Sequence, residues 1–196
     1  MGIPPAERYA SGSSGRSRKP LYPKGYRGFE SHPLRQLTHP ALALFIVSGG
    51  QTGADRGALD AALEAGVPCG GWCPRGRRAE DGTIPERYPL RETPTAEYPQ
   101  RTAWNVRDSD GTAILHHGRV DRGTALTERL ARRQHRPVII LDVREAKPRD
   151  LADWIEKEKI RRLNVAGPRE SRVPGLQAAV AAFLRETLSL VTAGRR

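Results

Sequence analysis

A seven-residue apolar run followed by a loop of small residues is the feature that most constrains the fold of this chain. Ala41–Val47 contains only apolar side chains, which is typical of a strand buried on both faces of a parallel sheet. Three glycines lie in the loop 48–53 that follows. The next residues predict a helix that Thr52 caps with Asp55 and that carries an apolar stripe of Ala58, Leu59, Ala62 and Leu63. A strand, a glycine loop and a helix in this order form the first half of a βαβ unit.

Apolar and helical segments continue to alternate along the rest of the chain. We predict strands over 67–72, 112–116, 138–141 and 161–165, helices over 99–106, 124–133, 151–159 and 174–191, and a long irregular segment over 74–95. The alternation predicts an α/β fold, namely a single Rossmann-like three-layer sandwich with a mainly parallel sheet over residues 41–196.

The first 40 residues differ from the rest in composition. They contain seven Lys or Arg and two Glu, are rich in Gly, Ser and Pro, and show no helical or strand period. Such a segment is predicted to be a disordered leader, and the alternative interpretation is a basic arm that binds nucleic acid. Gly28–Pro33 can be encoded by codons that resemble the T-arm of a transfer RNA gene. We therefore expect translation of the natural protein to begin near residue 40.

The net charge of +11 favours an anionic partner but does not choose among nucleic acid, lipid and small ligands. Because the longest apolar run is far shorter than the ~20 residues that span a bilayer, we expect no membrane partner. Cys69 and Cys73 are the only cysteines, which excludes a disulfide framework and predicts two reduced thiols.

Three segments before the middle of the chain are candidates for ligand binding. In Ser48–Arg56, the amides at the start of the predicted helix favour an anion such as phosphate, although this segment is neither the Walker loop nor the dinucleotide fingerprint. In Pro74–Gly82, the arginines match phosphate geometry, or else form a solvated basic loop. In Arg101–Thr112, Asp108 and Asp110 either contact a ligand or turn the loop, and they are too few for a metal site.

Two later segments have the same character. Gly123 and Thr124 open a predicted helix, and Glu128 lies one turn further on, where it could face the same ligand. Asn164–Ser171 places small and polar residues after a predicted strand. Because the loops at the carboxyl ends of parallel strands gather on one edge of a sheet, these segments predict a polar, cationic cleft.

Four of these segments resemble, in order, the motifs of one family. Ser48–Asp60, Gly71–Gly82, Arg101–Thr112 and Asn164–Ser171 are similar to motifs of the molybdenum carrier family, the circularly permuted YpsA-like branch of the SLOG Rossmann-like superfamily. The resemblance implies a single cytoplasmic Rossmann-like domain, usually oligomeric, that binds molybdenum cofactor and protects it from oxidation. It also implies a molybdoenzyme or a protein of cofactor biosynthesis as a partner.

The resemblance further implies which residues contact the ligand. These are Gly50, Thr52, Gly53, Arg75, Arg77, Asn105, Asp108, Ser109, Gly167, Glu170 and Ser171. We extend the candidate binding site to Gly49, Gln51, Asp55, Arg56, Arg101, Asp110, Gly123, Thr124 and Pro168, and we predict no metal ligands. The first hypothesis is therefore a carrier whose cargo is molybdenum cofactor or a related phosphorylated pterin or nucleotide-derived anion.

Two other functions remain as alternatives. Phosphoribohydrolases of the same superfamily carry a Gly-Gly-x-Gly-Thr-x-x-Glu motif, which 122–128 resembles incompletely, because Arg122 replaces a glycine and Glu128 comes one residue late. A nucleotide N-glycosidase would use Glu128 as its catalytic residue. A nucleic-acid-binding protein would use the leader, but residues 41–196 carry 26 basic and 20 acidic side chains, and arginines beside strand ends favour a small anionic ligand.

Overall fold

The computed structural model of the protein describes residues 44–118 and 122–193, so the leader, the first three residues of the predicted strand 41–47, residues 119–121 and residues 194–196 lie outside the described part. The strands are β1 (Phe45–Val47), β2 (Cys69–Cys73), β3 (Arg78–Ala79), β4 (Gly82–Thr83), β5 (Leu90–Glu92), β6 (Gly111–His116), β7 (Val138–Asp142) and β8 (Arg162–Ala166). The helices are α1 (Ala54–Glu64), α2 (Tyr98–Arg107), α3 (Arg122–Arg133), α4 (Pro148–Lys157) and α5 (Leu176–Ala193).

Six strands form one parallel sheet in the order β5-β2-β1-β8-β6-β7. The largest apolar cluster joins one face of this sheet to α1, α4 and α5, while a second cluster around Trp72 and Trp104 joins the other face to α2 and α3. The chain is therefore a three-layer α/β sandwich, and the predicted Rossmann-like fold is confirmed. All carboxyl ends of the six strands lie on one edge, which is where such folds bind ligands.

Several local predictions were wrong. The segment 74–95 is not wholly irregular, because it contains the antiparallel hairpin of β3 and β4 and the edge strand β5. Thr52 does not cap α1: Gly53 occupies the N-cap position with a φ of 78°, and no side chain caps the helix. A positive φ is a conformation that glycine adopts at little cost, which explains the glycine at this position. The last helix begins at Leu176, two residues after Pro174.

Helix α5 is the one helix in the described part of the chain that is long and apolar enough to cross a membrane, judged by length and composition. Core helices of globular proteins pass the same test. Seven of its residues are buried, and it packs against α1 and α4 within the main apolar cluster. Its apolar character is thus accounted for by packing within the fold.

Candidate functional site

The glycine loop after β1 uses its amides within the protein. The amide of Gln51 donates to the carboxylate of Asp55 (3.3 Å), and the amide of Thr52 donates to the side chain of Gln51 (3.0 Å). The amide of Ala54, the first residue of α1, donates to the carbonyl of Pro168 (3.2 Å). These amides are not free for an anion, which differs from the role that the sequence predicts for the start of α1.

A carboxylate that the sequence analysis did not single out joins three of the predicted loops. The hydroxyls of Thr52 and Ser171 both donate to the carboxylate of Glu80, and so does the amide of Ser171 (3.1 Å). The amide of Glu80 donates to the side chain of Gln51 (2.9 Å). We call this group of Gln51, Thr52, Glu80 and Ser171 the Glu80 clasp. Thr52 and Ser171 therefore hold the loops together, rather than standing open to a ligand.

Two of the predicted ligand-binding arginines are engaged inside the fold. Arg56 makes two hydrogen bonds to Asp81, at 2.5 and 2.8 Å, and one to the carbonyl of Gly50 (3.1 Å). The guanidinium of Arg77 donates to four backbone carbonyls at 2.8–3.2 Å, those of Ile84, Pro85, Tyr88 and Leu90. Arg77 thereby fixes the segment between β4 and β5. Arg75 is exposed on the same loop.

The residues of the third predicted motif, Arg101–Thr112, lie far apart, because the motif begins within α2 and ends beyond it. Arg101 lies in the first turn of the helix, whereas Asp108 lies just beyond its end, about 10 Å further along the axis. The side chain of Asn105 accepts from the amide of Trp72 (2.7 Å) and donates to its carbonyl (3.0 Å), as a neighbouring strand would. Asp108 accepts from the indole of Trp72 (2.7 Å) and from Arg107. This part of the motif supports β2.

The remaining residues of this motif close the turn before β6. The carboxylate of Asp110 accepts from the amides of Arg161 and Arg162, at 3.0 and 2.8 Å. The hydroxyl of Ser109 donates to the carbonyl of Val106 (2.9 Å). They stand at the amino end of β6, at the opposite edge of the sheet from the glycine loop.

A cleft of about 120 Å³ lies beyond the carboxyl ends of the neighbouring strands β1 and β8. Its walls come from the glycine loop, the first turn of α2, the segment after β8 and α3. They are lined by Gln51, Asp55, Tyr98, Pro99, Arg101, Thr102, Leu126, Thr127, Ala166, Gly167 and Arg169. Four predicted residues, Gln51, Asp55, Arg101 and Gly167, are thus brought together. A Cβ on Gly167 would lie 2.0 Å from the carbonyl oxygen of Leu115, so only glycine fits there.

Arg101 is the central cation of this cleft. Its Nη1 lies 2.8 Å from the carboxylate of Asp55, and both side chains are almost completely buried, with 13 % and 5 % of their surface exposed. The guanidinium covers the backbone of Gly49, where a Cβ would come within 1.6 Å of Nη1. A second cation, Arg169, stacks on the ring of Tyr98 at 4.9 Å. The glycine at position 49 therefore makes room for Arg101.

Two buried donors beside the cleft have no acceptor among the residues that the structure describes. They are Nε2 of Gln51, a residue with 4 % of its surface exposed, and Nε of Arg101. Because a buried donor without a partner costs about 1–3 kcal/mol, such groups at a cleft are typical of a binding site. Both are donors, so a group that satisfied them would be an acceptor such as an oxyanion.

The predicted residues Thr124, Glu128 and Glu170, on α3 and after β8, do not line the cleft. Thr124 is buried at the start of α3, and Gly123 precedes it within the helix. The carboxylate of Glu128 does not line the cleft but lies 2.9 Å from Nε of Arg132. The carboxylate of Glu170 accepts from the amides of Gly175 and Gln177 and so caps α5.

Comparison with known proteins gives two findings. The sequence model of the circularly permutated YpsA SLOG family matches residues 46–188. The chain belongs to this family. Its fold is similar to the crystal structure, at 1.45 Å resolution, of a protein named "Putative molybdenum carrier protein" from Syntrophus aciditrophicus SB. The two are 44% identical with a TM-score of 0.70, and the match covers 75% of this chain and 95% of that one. A search of curated proteins finds no match.

Every residue that lines the cleft lies inside the part of the chain that matches the circularly permutated YpsA SLOG family. Sequence reasoning missed Tyr98, Thr102, Thr127 and Arg169. A helical signal was present for Tyr98, which lies three positions before Arg101 and four before Thr102 on α2, where such residues are neighbours. Thr127 and Arg169 carry no such signal, since only the folded chain brings α3 and the segment after β8 to Arg101.

The cysteines and the histidines of the described ranges lie outside the cleft. Burial raises the pKa of Cys69 and of Cys73 to about 11, so both thiols are protonated near neutral pH. His116 and His117 lie at the carboxyl end of β6, 4.0 and 3.5 Å from the carboxylate of Asp142. Within residues 44–118 and 122–193, no group of three or more His, Cys, Asp or Glu side chains is arranged to hold a metal ion.

Proposed function

We propose that this member of the circularly permutated YpsA SLOG family is a binding or carrier protein for molybdenum cofactor, or for a related phosphorylated pterin or nucleotide-derived anion. The observation that carries the proposal is the pair of unpartnered buried donors, Gln51 Nε2 and Arg101 Nε, beside the cleft. The name of the similar structure from Syntrophus aciditrophicus supports the cargo. We further propose a cytoplasmic location, a homo-oligomer and delivery to a molybdoenzyme or a protein of cofactor biosynthesis.

The size of the cleft supports a binding mode in which only one part of the ligand enters it. A volume of about 120 Å³ has room for several water molecules. Ligand pockets for whole molecules usually measure about 300–1,000 Å³. We infer that the cleft takes one oxygen-rich end group, such as the terminal phosphate of the cofactor, and that the rest of the ligand lies along the open mouth.

Charge supports the same arrangement. Asp55 neutralises Arg101, so the net positive charge of the cleft lining comes from Arg169. An oxyanion that approaches Arg101 finds a fork of donors already held in place by Asp55 and by the backbone of Gly49. A preorganised arginine binds an oxyanion more tightly than a mobile one, because less side-chain entropy is lost on binding.

The test is delivery of molybdenum cofactor to an acceptor enzyme. The purified full chain is loaded with molybdenum cofactor, freed of excess, and mixed with nitrate reductase that lacks the cofactor. The loaded chain should restore nitrate reductase activity, and Arg101→Ala should reduce the retained cofactor at least tenfold, through loss of a charged hydrogen-bond partner. Gly49→Ala should have a similar effect, because its Cβ displaces the guanidinium of Arg101.

Two controls make the result specific to the cleft. Arg172→Ala removes an exposed arginine three residues from Arg169 and should leave retention unchanged. Arg75→Ala removes an exposed arginine outside the cleft lining and should also leave it unchanged. Loss of cofactor in Arg75→Ala with full retention in Arg101→Ala would move the site to the loop before β3 and would refute this placement.

A further inference from the structure

Strand β7 (Val138–Asp142) forms one edge of the six-stranded sheet. It pairs in parallel with β6 over its full length, from Val138 beside Thr112 to Asp142 beside His116. No other strand in the described part of the chain pairs with its outer side. The opposite edge, β5, is shorter and carries the charged residues Arg91 and Glu92.

The hydrogen bonds to β6 determine which groups of β7 face outward. The amide of Thr112 donates to the carbonyl of Pro137, and the amide of Val143 donates to the carbonyl of His116. Because the bonding direction alternates along a parallel strand, Ile139 and Leu141 bond to β6. The backbone N–H and C=O groups of Val138 and Ile140 therefore point away from the sheet.

The central part of β7 lacks the features that protect edge strands. Such edges usually carry charged side chains, proline or a bulge. Here the residues from Val138 to Leu141 are all apolar. Ile140, with 37 % of its surface exposed, is one of two exposed large hydrophobic residues in the described ranges. Within the described residues, the outer edge of β7 thus offers backbone groups that no strand pairs with, together with apolar side chains, which is the combination that strand addition uses.

Positive charge surrounds this edge. The segment 129–149, which contains β7, has seven Arg or Lys and two acidic residues, Asp142 and Glu145. Before the strand, Arg129 and Arg133 are exposed on α3, and after it exposed basic side chains follow at Arg144 and Lys147, whereas Arg132 pairs with Glu128 and Arg149 with Asp153. A chain that pairs with β7 would therefore have basic side chains near both of its ends.

We propose that the outer edge of β7 binds an extended acidic segment of a partner protein by strand addition. The charge argues against two other occupants. A second copy would present its own β7 with the same basic flanks, and the leader of this chain itself carries a net charge of +5. An acidic segment gains both the backbone pairing and the attraction to the basic flanks.

The test uses the full chain and a fluorescein-labelled octapeptide of alternating Glu and Val. A Lys/Val octapeptide is the matched charge control. The Glu/Val peptide should bind at least tenfold more tightly than the Lys/Val peptide at 50 mM NaCl, and its affinity should fall as salt is raised, because the charges are exposed. Equal affinity for the two peptides, or no binding of the acidic peptide, would overturn the proposal.

A substitution at Ile140 separates strand pairing from simple charge attraction. Ile140→Pro removes an outward N–H without removing any donor to β6, so binding should weaken at least tenfold while the fold persists. Ile140→Thr keeps the N–H and should bind like the parent chain. If Ile140→Pro fails to fold, a Glu/Val octapeptide whose backbone nitrogens are methylated serves instead with the parent chain, because it keeps the charge but cannot donate hydrogen bonds to the strand. Unchanged affinity of the folded Ile140→Pro variant, or of the parent chain for the methylated peptide, would overturn the proposal.

Hydrogen exchange of the full chain identifies what covers the edge. The amides of Val138 and Ile140 should exchange faster than those of Ile139 and Leu141 in the free chain and slow down when the Glu/Val peptide binds. Protection of Val138 and Ile140 in the dilute free chain would assign the edge to a segment of this chain. A dimer in sedimentation that Ile140→Pro dissociates would assign it to a second copy. Either result would overturn an acidic partner as the occupant.

Discussion

Two buried arginines, Arg77 and Arg101, have opposite environments. The Arg77 guanidinium donates to backbone carbonyls of the segment 84–90. Arg101 instead donates to the carboxylate of Asp55, and its Nε has no partner among the described residues beside the cleft. The sequence identifies both as arginines near strand ends, but the direction of a side chain depends on the loop that surrounds it. For this reason sequence reasoning assigned Arg77 and Arg101 to one site.

The contacts of Arg77 predict a loss of stability when it is replaced by lysine. An ammonium group cannot reproduce the planar fork that reaches the carbonyls of Ile84, Pro85, Tyr88 and Leu90. Arg77→Lys should lower the free energy of unfolding by about 2–4 kcal/mol, because buried carbonyls lose charged donors. Urea unfolding followed by circular dichroism measures this. Arg78→Lys, a change at an exposed neighbour, should stay within about 0.5 kcal/mol of the parent chain.

Retention of cofactor distinguishes this structural role from ligand binding. If Arg77→Lys left stability unchanged and abolished retention of molybdenum cofactor, the side chain would belong to the ligand site, as the family resemblance implies. The structure predicts the reverse: Arg77→Lys should lower the free energy of unfolding, and the variant that remains folded should retain molybdenum cofactor.

At the scale of elements, the Glu80 clasp fixes the loops that border the cleft. Burial of its carboxylate raises the pKa of Glu80, but the hydrogen bonds from Ser171 and Thr52 lower it by more, so the pKa lies below its usual value of 4.5. A carboxyl whose pKa is depressed by folding stabilises the fold above the unfolded pKa, and this contribution is lost as pH falls through the folded pKa.

This sign gives a prediction for acid unfolding. The parent chain should be more stable than Glu80→Gln at pH 7, and the difference should shrink as pH falls from about 5 through the lowered pKa of Glu80. Urea unfolding at a series of pH values measures it. Glu145→Gln, at an exposed position, is the control and should follow the parent chain. A constant difference between the parent and Glu80→Gln at all pH values would mean that the ionised carboxylate does not hold the clasp.

The elements themselves could be predicted from the sequence to different degrees. The buried strands and amphipathic helices were found within a few residues because their periods are local properties, as in α2, predicted over 99–106 and observed over Tyr98–Arg107. The hairpin and edge strand within 74–95 were missed, because short strands with exposed polar residues carry little periodic signal. The site depends on tertiary contacts such as that of Arg101 with Asp55, 46 residues apart, which no local pattern predicts.

For the molecule as a whole, positive charge is concentrated in separate regions. The leader contributes +5 and the segment 129–149, which contains the edge strand β7, contributes another +5, within a total of +11. At the cleft, by contrast, Asp55 balances Arg101. Net charge therefore reports on the surfaces of this chain, whereas the proposed binding of an anion at the cleft depends on aligned donors.

Removal of the leader tests whether its positive charge acts independently of the cleft. A chain that lacks residues 1–40 should lose much of the salt-sensitive binding of the full chain to duplex DNA of random sequence, because seven Lys or Arg are removed. If about three of these contact phosphates, the slope of log affinity against log salt should decrease by about 3. Retention of molybdenum cofactor should stay the same. Arg101→Ala in the full chain should show the opposite pattern, with DNA binding kept and cofactor lost.

An unchanged salt slope after removal of the leader would contradict this prediction. It would place the DNA-binding charge on the surface around β7 instead, where added Glu/Val octapeptide should then compete with DNA.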